Sequence, residues 1–420
     1  MMNTPINRRD LWQWLLSSTA LKLLPPMAAG AVLTNSLMRP RHGNASVYDV
    51  VQQHYEHRPM ITVEGKKPLI KITSRPHNLE TPLHHLIHPI TTNDVFFVRS
   101  RLALMPTDDT EAYRLSIHGS VERPLELTLH DLKTRFEPID ITGVAQCAGN
   151  SMAFFNPPVF PGWNLTHGFM GCATWTGVRV RDVLEKTGLK ANAQDAVFKG
   201  ADRPIIDKTP LVEKSFRLPI DQTLNEDLLI AYAMNGRPLP HWNGYPVRLV
   251  APGWYGTYWV KWLESIAVIP KAFDGFWMSN AYRFPSHPVT PYEHPRKTVP
   301  ITRYNVKSVI TSPQNNERIT LGKPIEITGV AFDAGSGIQA VSISVDGGKS
   351  WHPAKLHPPD GQYAWNIWTF ITTPKKPGKF TVMSRATSTN GETQPTQALW
   401  NPGGYKYNAI DSIDLITTSI

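Results

Sequence analysis

The hexapeptide Gln146-Cys147-Ala148-Gly149-Asn150-Ser151 carries one of only two cysteines in the 420 residues and directly follows the apolar run 139–145. A thiol held on a short glycine turn is a soft donor, and its thiolate is the form that binds a metal. The alternative is a buried structural thiol, the commoner fate of a free cysteine. Forty-eight residues earlier, Phe96-Phe97-Val98-Arg99-Ser100-Arg101 sets two arginines at the end of an apolar strand. Their planar forks of donors suit an oxyanion or a cofactor phosphate, against the plainer reading of a surface salt bridge. Further on, Asn243-Gly244-Tyr245-Pro246-Val247-Arg248 leads through Gly253 to Gly256-Thr257-Tyr258-Trp259-Val260-Lys261-Trp262. Two cations and three glycines there suit a loop wrapped around a phosphate-bearing ligand.

These segments need a scaffold to position them. The 37 prolines argue against a mainly helical protein, because each removes a backbone donor and is excluded from helix interiors. The chain divides near residue 300. Upstream, 45–295 reads as a mixed α+β domain, with strands near 113–118 and 247–250. Val180, Val183 and Leu184 form the apolar face of a short helix that Gly188 ends. After Pro300 the pattern alternates: Ile325 and Ile327; Val341, Ile343 and Val345 before Asp346-Gly347-Gly348; Phe380 and Val382 before Asn390-Gly391. Period-two apolar residues with glycine turns predict an antiparallel sandwich over 300–420, of immunoglobulin-like size but without its cysteine pair. Trp351, Trp365 and Trp368 are expected to fill its core or an interface.

The N-terminus holds Asn7-Arg8-Arg9-Asp10-Leu11-Trp12, an apolar stretch from Trp14 to Leu24 broken by Lys22, and then small residues to Gly30. Residues 1–30 therefore read as a twin-arginine export signal, too short in its apolar part to span a bilayer. That route carries folded proteins and so hints at a cofactor and a periplasmic destination. Loss of residues 1–30 would remove Arg8, Arg9 and Lys22 with Asp10, lowering the formal charge from +9 to +7. The surplus suits anionic ligands, whereas nucleic acid is not expected, since no basic run or recognition-helix signature is present.

With only Cys147 and Cys172 there is no disulfide framework, no CxxC and no CxxCH haem site. A bond between the two would close a loop of about 25 residues, a stabilisation of roughly 3 kcal/mol in the loop-entropy account. Packing among small and aromatic neighbours is the leading reading of Cys172. His84, His85 and His88 have helical spacing, but Pro82 and Pro89 bracket them and no metal site is expected there.

Taken in order over 90–410, Phe-Phe-Val-Arg99, the Cys147-Ala-Gly-Asn turn, Met234-Asn235-Gly236, Gly-Tyr-Pro-Val-Arg248, Val-Lys261-Trp and the terminal sandwich resemble the sulfite oxidase family. Trp277-Met278 and Ala281-Tyr282-Arg283 add a likeness to its bacterial periplasmic sulfite dehydrogenases. The resemblance implies one molybdenum-molybdopterin per chain, without haem, whose metal takes the thiolate of Cys147. It implies that Phe97, Arg99, Arg101, Asp202, Asn243, Arg248, Trp259 and Lys261 contact the cofactor, and that Arg99 and Tyr282 serve catalysis beside Cys147. It further implies oxidation of sulfite by oxygen-atom transfer, an external c-type cytochrome as acceptor, and a homodimer formed through the second domain.

Three positions depart from the family pattern. Met152, five residues after Cys147, stands where several relatives carry a second substrate arginine. Asn243 and Arg101 each replace a common histidine, and Arg101 would restore the positive charge missing at 152. Met152 leaves open reduction of an S-oxide or N-oxide on the same scaffold, and a non-catalytic binding protein is the alternative of another class.

Overall fold

The computed structural model describes residues 58–160, 165–204 and 215–418, so the export-signal reading of 1–30 falls outside the described residues. Sheets dominate, as the proline content requires. Among the described residues the helices are short, and none is long and apolar enough to cross a membrane. The longest, Val180–Thr187, buries Val180, Val183 and Leu184 and ends at Gly188 with φ +67°, as its pattern indicates. Asp182 in its first turn and Lys186 in its last complement the helix dipole.

Three larger sheets and a two-stranded ribbon, Arg283–Pro285 with Thr298–Pro300, build the first part among the described residues. One runs Met60–Ile61, Leu69–Ser74, His77–Glu80 and Val98–Arg99, and its last pairing sets Arg99 opposite Asn78. A second orders Ser215–Pro219, Asp195–Gly200, Leu263–Ile269, Leu115–Gly119 and Leu125–Leu127, with Leu263–Ile269 and Leu115–Gly119 parallel. The third pairs Ile139–Gln146 with Met170–Arg179 along its whole length, from Ile139 opposite Gly177 to Gln146 opposite Met170. The last four residues of Ile139–Gln146 and the first four of Met170–Arg179 are buried. A strand covered on both faces loses its apolar–polar alternation, which is why Gly143-Val144-Ala145 just before Cys147 shows none while the partly exposed Ile139-Asp140-Ile141-Thr142 alternates.

After residue 300 two sheets share one core. Lys307–Ser312, Ile325–Phe332, Asn366–Thr372 and Lys355–Leu356 form the first. Arg318–Thr320, Asp411–Thr418, Gly378–Ser388, Ile338–Ser344 and His352–Pro353 form the second. Ile327, Val341, Ile343, Val382 and Leu415 meet around Trp368. The three tryptophans thus part company. Trp368 fills this core, whereas Trp365 joins the larger core of the first part and donates its indole N–H to His88 O at 3.1 Å. Trp351, expected inside or at an interface, is half-buried with the Arg385 guanidinium 4.4 Å from its ring centre.

A buried polar cluster ties the second part to the cysteine turn. Lys307 Nζ donates to Ser151 Oγ at 2.6 Å, Ser151 Oγ lies 2.6 Å from His167 Nδ1, and His167 Nε2 lies 3.1 Å from Asp411 Oδ1. Burial pulls the Lys307 ammonium down to about 7, opposed by Asp411. Asp411→Ala would leave that ammonium buried without the carboxylate that offsets it, an expected loss of about 3–5 kcal/mol. Urea unfolding measures it, and a loss below about 1 kcal/mol would show the cluster to be dispensable.

Candidate functional site

The chain leaves the Ile139–Gln146 strand and turns at once, through Asn150 N–H to Cys147 O at 3.0 Å and Met152 N–H to Gly149 O at 3.1 Å. Cys147 N–H donates to Phe169 O, and Phe169 N–H to Asn150 Oδ1, so the turn is tied to the neighbouring strand's approach. Cys147 is 9% exposed and lines a cleft, while Cys172 is fully buried opposite Val144. Both are free thiols. Burial pushes the Cys172 thiol up to about 12, which makes it a packing residue rather than a nucleophile or ligand.

The cleft holds about 730 Å³ of space, open solvent at its mouth included. Every site residue read from the sequence lines it: Phe97, Arg99, Arg101, Cys147, Asp202, Asn243, Arg248, Trp259, Lys261 and Tyr282. Gly256 brings the 256–262 loop onto the cysteine turn, since a Cβ there would lie 2.9 Å from Gln146 O.

Near Cys147 the two arginines diverge. Arg99 Nη1 donates to Asn78 Oδ1 at 2.7 Å and to Ser100 O at 2.8 Å, which orients its guanidinium from across the strand pair. Arg101 Nε donates to Tyr282 OH at 2.7 Å, with its guanidinium 5.2 Å from the Tyr282 ring centre and 6.0 Å from that of Trp277. Burial disfavours the Arg101 charge, but Tyr282, Tyr405 and Cys147 together outweigh it and raise its pKa. Tyr282 itself sits at φ +46°, a left-handed conformation that costs of order 1 kcal/mol for a bulky residue and occurs most at functional sites.

The second part reaches this end of the cleft through residues that sequence reasoning missed. The Tyr405 ring lies 5.5 Å from Tyr282, and Lys406 N–H donates to Ala148 O at 2.9 Å. Burial raises the Tyr405 phenol to about 12, against the opposing charge of Arg101. Met152 does not line the cleft. It packs against Gly149 and Gly404, and a Cβ at 404 would come within 2.7 Å of its methyl carbon. An arginine at 152 would have needed that space, so the apolar residue and the glycine belong together.

The cleft is also lined by buried cations. Arg248 lies between Trp175 and Trp259, 5.0 and 5.6 Å from their ring centres, and donates to Asn243 O and Trp259 O. Those acceptors are neutral carbonyls, and burial pulls its guanidinium down to about 9. Lys261 Nζ donates to Ser100 Oγ and Trp242 O, both at 2.9 Å. Trp259 gives its indole N–H to Trp254 O, so it offers the cleft its ring rather than a donor. Asn243 is equally committed: Oδ1 accepts from Lys66 Nζ at 2.6 Å and Nδ2 donates to Phe97 O at 3.2 Å. Its amide therefore builds the wall of the cleft. Neither Lys66 nor Tyr405 stood in a spacing pattern that could have flagged it.

A thiol, buried cations and an aspartate, Asp202, lining one cleft fit an anionic cofactor that carries a soft-ligated metal. Among the described residues no group of three or more His, Cys, Asp or Glu is placed to hold a metal ion.

Residues 102–277 match the family described as oxidoreductase molybdopterin binding domain, and residues 298–415 match the Mo-co oxidoreductase dimerisation domain. Sulfite oxidase of Gallus gallus is 31% identical over 358 residues, 81% of this chain and 76% of that protein. Mitochondrial sulfite oxidase of Homo sapiens is 32% identical over 361 residues, 82% of this chain and 65% of that one. In fold, the chain is similar to the sulfane dehydrogenase SoxCD of Paracoccus pantotrophus, with a TM-score of 0.70, 24% identity and coverage of 93% and 95% of the two chains. The cleft, both domain matches and the relatives agree, and this chain belongs to the sulfite oxidase family of molybdopterin oxidoreductases.

Proposed function

We propose that the protein oxidises sulfite to sulfate, and the observation that carries this reading is the Arg101–Tyr282 pair beside Cys147 with Arg99 in the same cleft. In the overall reaction one water oxygen enters sulfate while two electrons and two protons leave. The bound molybdenum-molybdopterin supplies oxygen-atom transfer and the two-electron redox step. Arg99 and Arg101 hold the oxyanion by charge-assisted hydrogen bonds and orient it. Tyr282, whose oxygen accepts from Arg101 Nε, presents its phenol to the substrate or to sulfate as it forms. Trp259, Trp262 and Phe97 wall the cleft and limit water around the developing charge.

In this reading electrons pass to an external c-type cytochrome, as the likeness of Trp277-Met278 and Ala281-Tyr282-Arg283 to bacterial periplasmic sulfite dehydrogenases implies. Export to the periplasm by the twin-arginine route follows from Arg8-Arg9 and the short apolar stretch behind them. The match of 298–415 to a dimerisation domain, with its two sheets around one core, supports an immunoglobulin-like sandwich and a homodimer.

A second reading, reduction of an S-oxide or N-oxide, is favoured by Met152, whose packing on Gly404 leaves this site one cation poorer. A substrate that is neutral loses less by that change than sulfite does. Sulfite-dependent reduction of ferricyanide or cytochrome c by the molybdenum-loaded protein separates the two. Turnover on sulfite is the expected result. No sulfite turnover, with reoxidation of a reduced dye by methionine sulfoxide, would overturn it.

A further inference from the structure

Lys66 precedes the strand Leu69–Ser74, outside the stretch that matches the molybdopterin-binding domain. Its side chain is 5% exposed, and its ammonium donates to Asn93 O at 2.6 Å, Phe96 O at 3.0 Å and Asn243 Oδ1 at 2.6 Å. None of these acceptors carries a charge. The nearest acidic group, Asp94, pairs instead with the neighbouring Lys67 at 2.9 Å. Burial accordingly pulls the Lys66 ammonium down to about 7, with Asp94 only partly opposing.

A lysine buried among neutral oxygens is costly unless something compensates its charge. Among the described residues no carboxylate pairs with the Lys66 ammonium. Two of its three partners belong to residues whose other atoms line the cleft, Phe96 and Asn243. Arg248 is tied to the same residue, through Asn243 O at 2.8 Å, and it too is buried on neutral carbonyls. Two cations without carboxylates thus converge on Asn243, one behind the wall of the cleft and one in it.

We propose that Lys66 is a positioning charge for the molybdopterin: it fixes the Asn243 amide and places a positive charge behind the Phe96–Asn243 wall. The inference rests on the reading of this cleft as the cofactor site. It assigns to a residue distant in sequence the charge that Asn243, where relatives carry histidine, does not supply itself. The bland alternative is a structural clip that merely satisfies three carbonyl oxygens of the 93–97 turn and the asparagine. A clip would change stability and leave the hold on the cofactor alone.

Lys66→Met separates these, with Thr81→Val as a control that removes a buried neutral hydrogen bond to Val95 O from the same region. Three quantities are measured on wild type and both variants: melting of apoprotein and of loaded protein, the rate of molybdopterin release into buffer, and the midpoint potential of the bound metal. Lys66→Met is expected to narrow the gap between apo and loaded melting temperatures and to speed release on the order of tenfold, the scale of one unscreened charge at short range. The midpoint potential should shift negative, because removal of a positive charge disfavours added electrons. Thr81→Val should lower both melting temperatures together and leave release rate and potential unchanged. Equal shifts of apo and loaded melting in Lys66→Met, with unchanged release and potential, would reduce Lys66 to a clip and overturn the proposal. Wild-type protein that holds no molybdopterin, after expression in a host that makes it, would overturn the reading of the cleft and the proposal with it.

Discussion

Cys147→Ser is expected to abolish turnover while leaving most of the molybdopterin in place. The thiol shares the cleft with Arg248, Lys261 and Asp202, so it is not the protein's only hold on the cofactor. Serine keeps the size of the side chain and the backbone bonds of the turn, Cys147 N–H to Phe169 O and Asn150 N–H to Cys147 O. What it removes is the soft, readily ionised sulfur, replaced by an alcohol that stays protonated and donates little charge. Turnover should fall by about a thousandfold or more, beyond the roughly 10- to 100-fold typical of outer-shell partners of a metal. Pterin content, read by fluorescence after oxidative release, should stay near the wild-type level. Wild-type turnover in Cys147→Ser would remove Cys147 from the metal. Cys172→Ser is the contrast: a hydroxyl placed in a fully buried apolar site costs about 1–3 kcal/mol of stability and leaves turnover per loaded chain intact.

Arg101→Met should cost kcat/KM about 100- to 1,000-fold, the usual loss when one donor aimed at developing negative charge is removed. The effect is expected to be at least as large as that of Arg99→Met. Arg99 is anchored by Asn78 and Ser100, whereas Arg101 is the guanidinium bonded to Tyr282 and electrostatically coupled to Cys147 and Tyr405. Methionine preserves the stem that packs near Trp277 and removes only the charged fork. The Arg101→Met and Tyr282→Phe losses should not add, since each variant already breaks the single bond between the two side chains. Additive losses would show that they act independently. A loss confined to KM would mean that Arg101 binds the ground state and the transition state equally.

The local motifs were readable because each depends on a short stretch of chain. A cysteine on a glycine turn, arginines at the end of an apolar strand and a glycine-rich loop with two cations keep their chemistry whatever surrounds them, and the fold brings all of them to one cleft. The helix that ends at Gly188 and the alternating strands after residue 300 were equally legible, since their periods follow from backbone geometry. The tryptophans show the limit of that reading. Trp351, Trp365 and Trp368 look alike in sequence, yet one lies under an arginine, one in an interface and one in a core.

Composition and periodicity thus indicated an α+β part followed by a strand-rich part, while the resemblance carried by the motifs in order pointed to the family and to the residues from which a molybdopterin site would be built. The sequence could not apportion work among those residues. Which arginine meets Tyr282 is a contact across 181 residues, and what the Asn243 amide bonds to is one across 177. Tyr405 enters from beyond residue 400, and Met152 turns out of the cleft because Gly404 leaves room for its methyl. Each outcome depends on the direction of a side chain and the packing of distant segments, and neither residue type nor spacing encodes that direction.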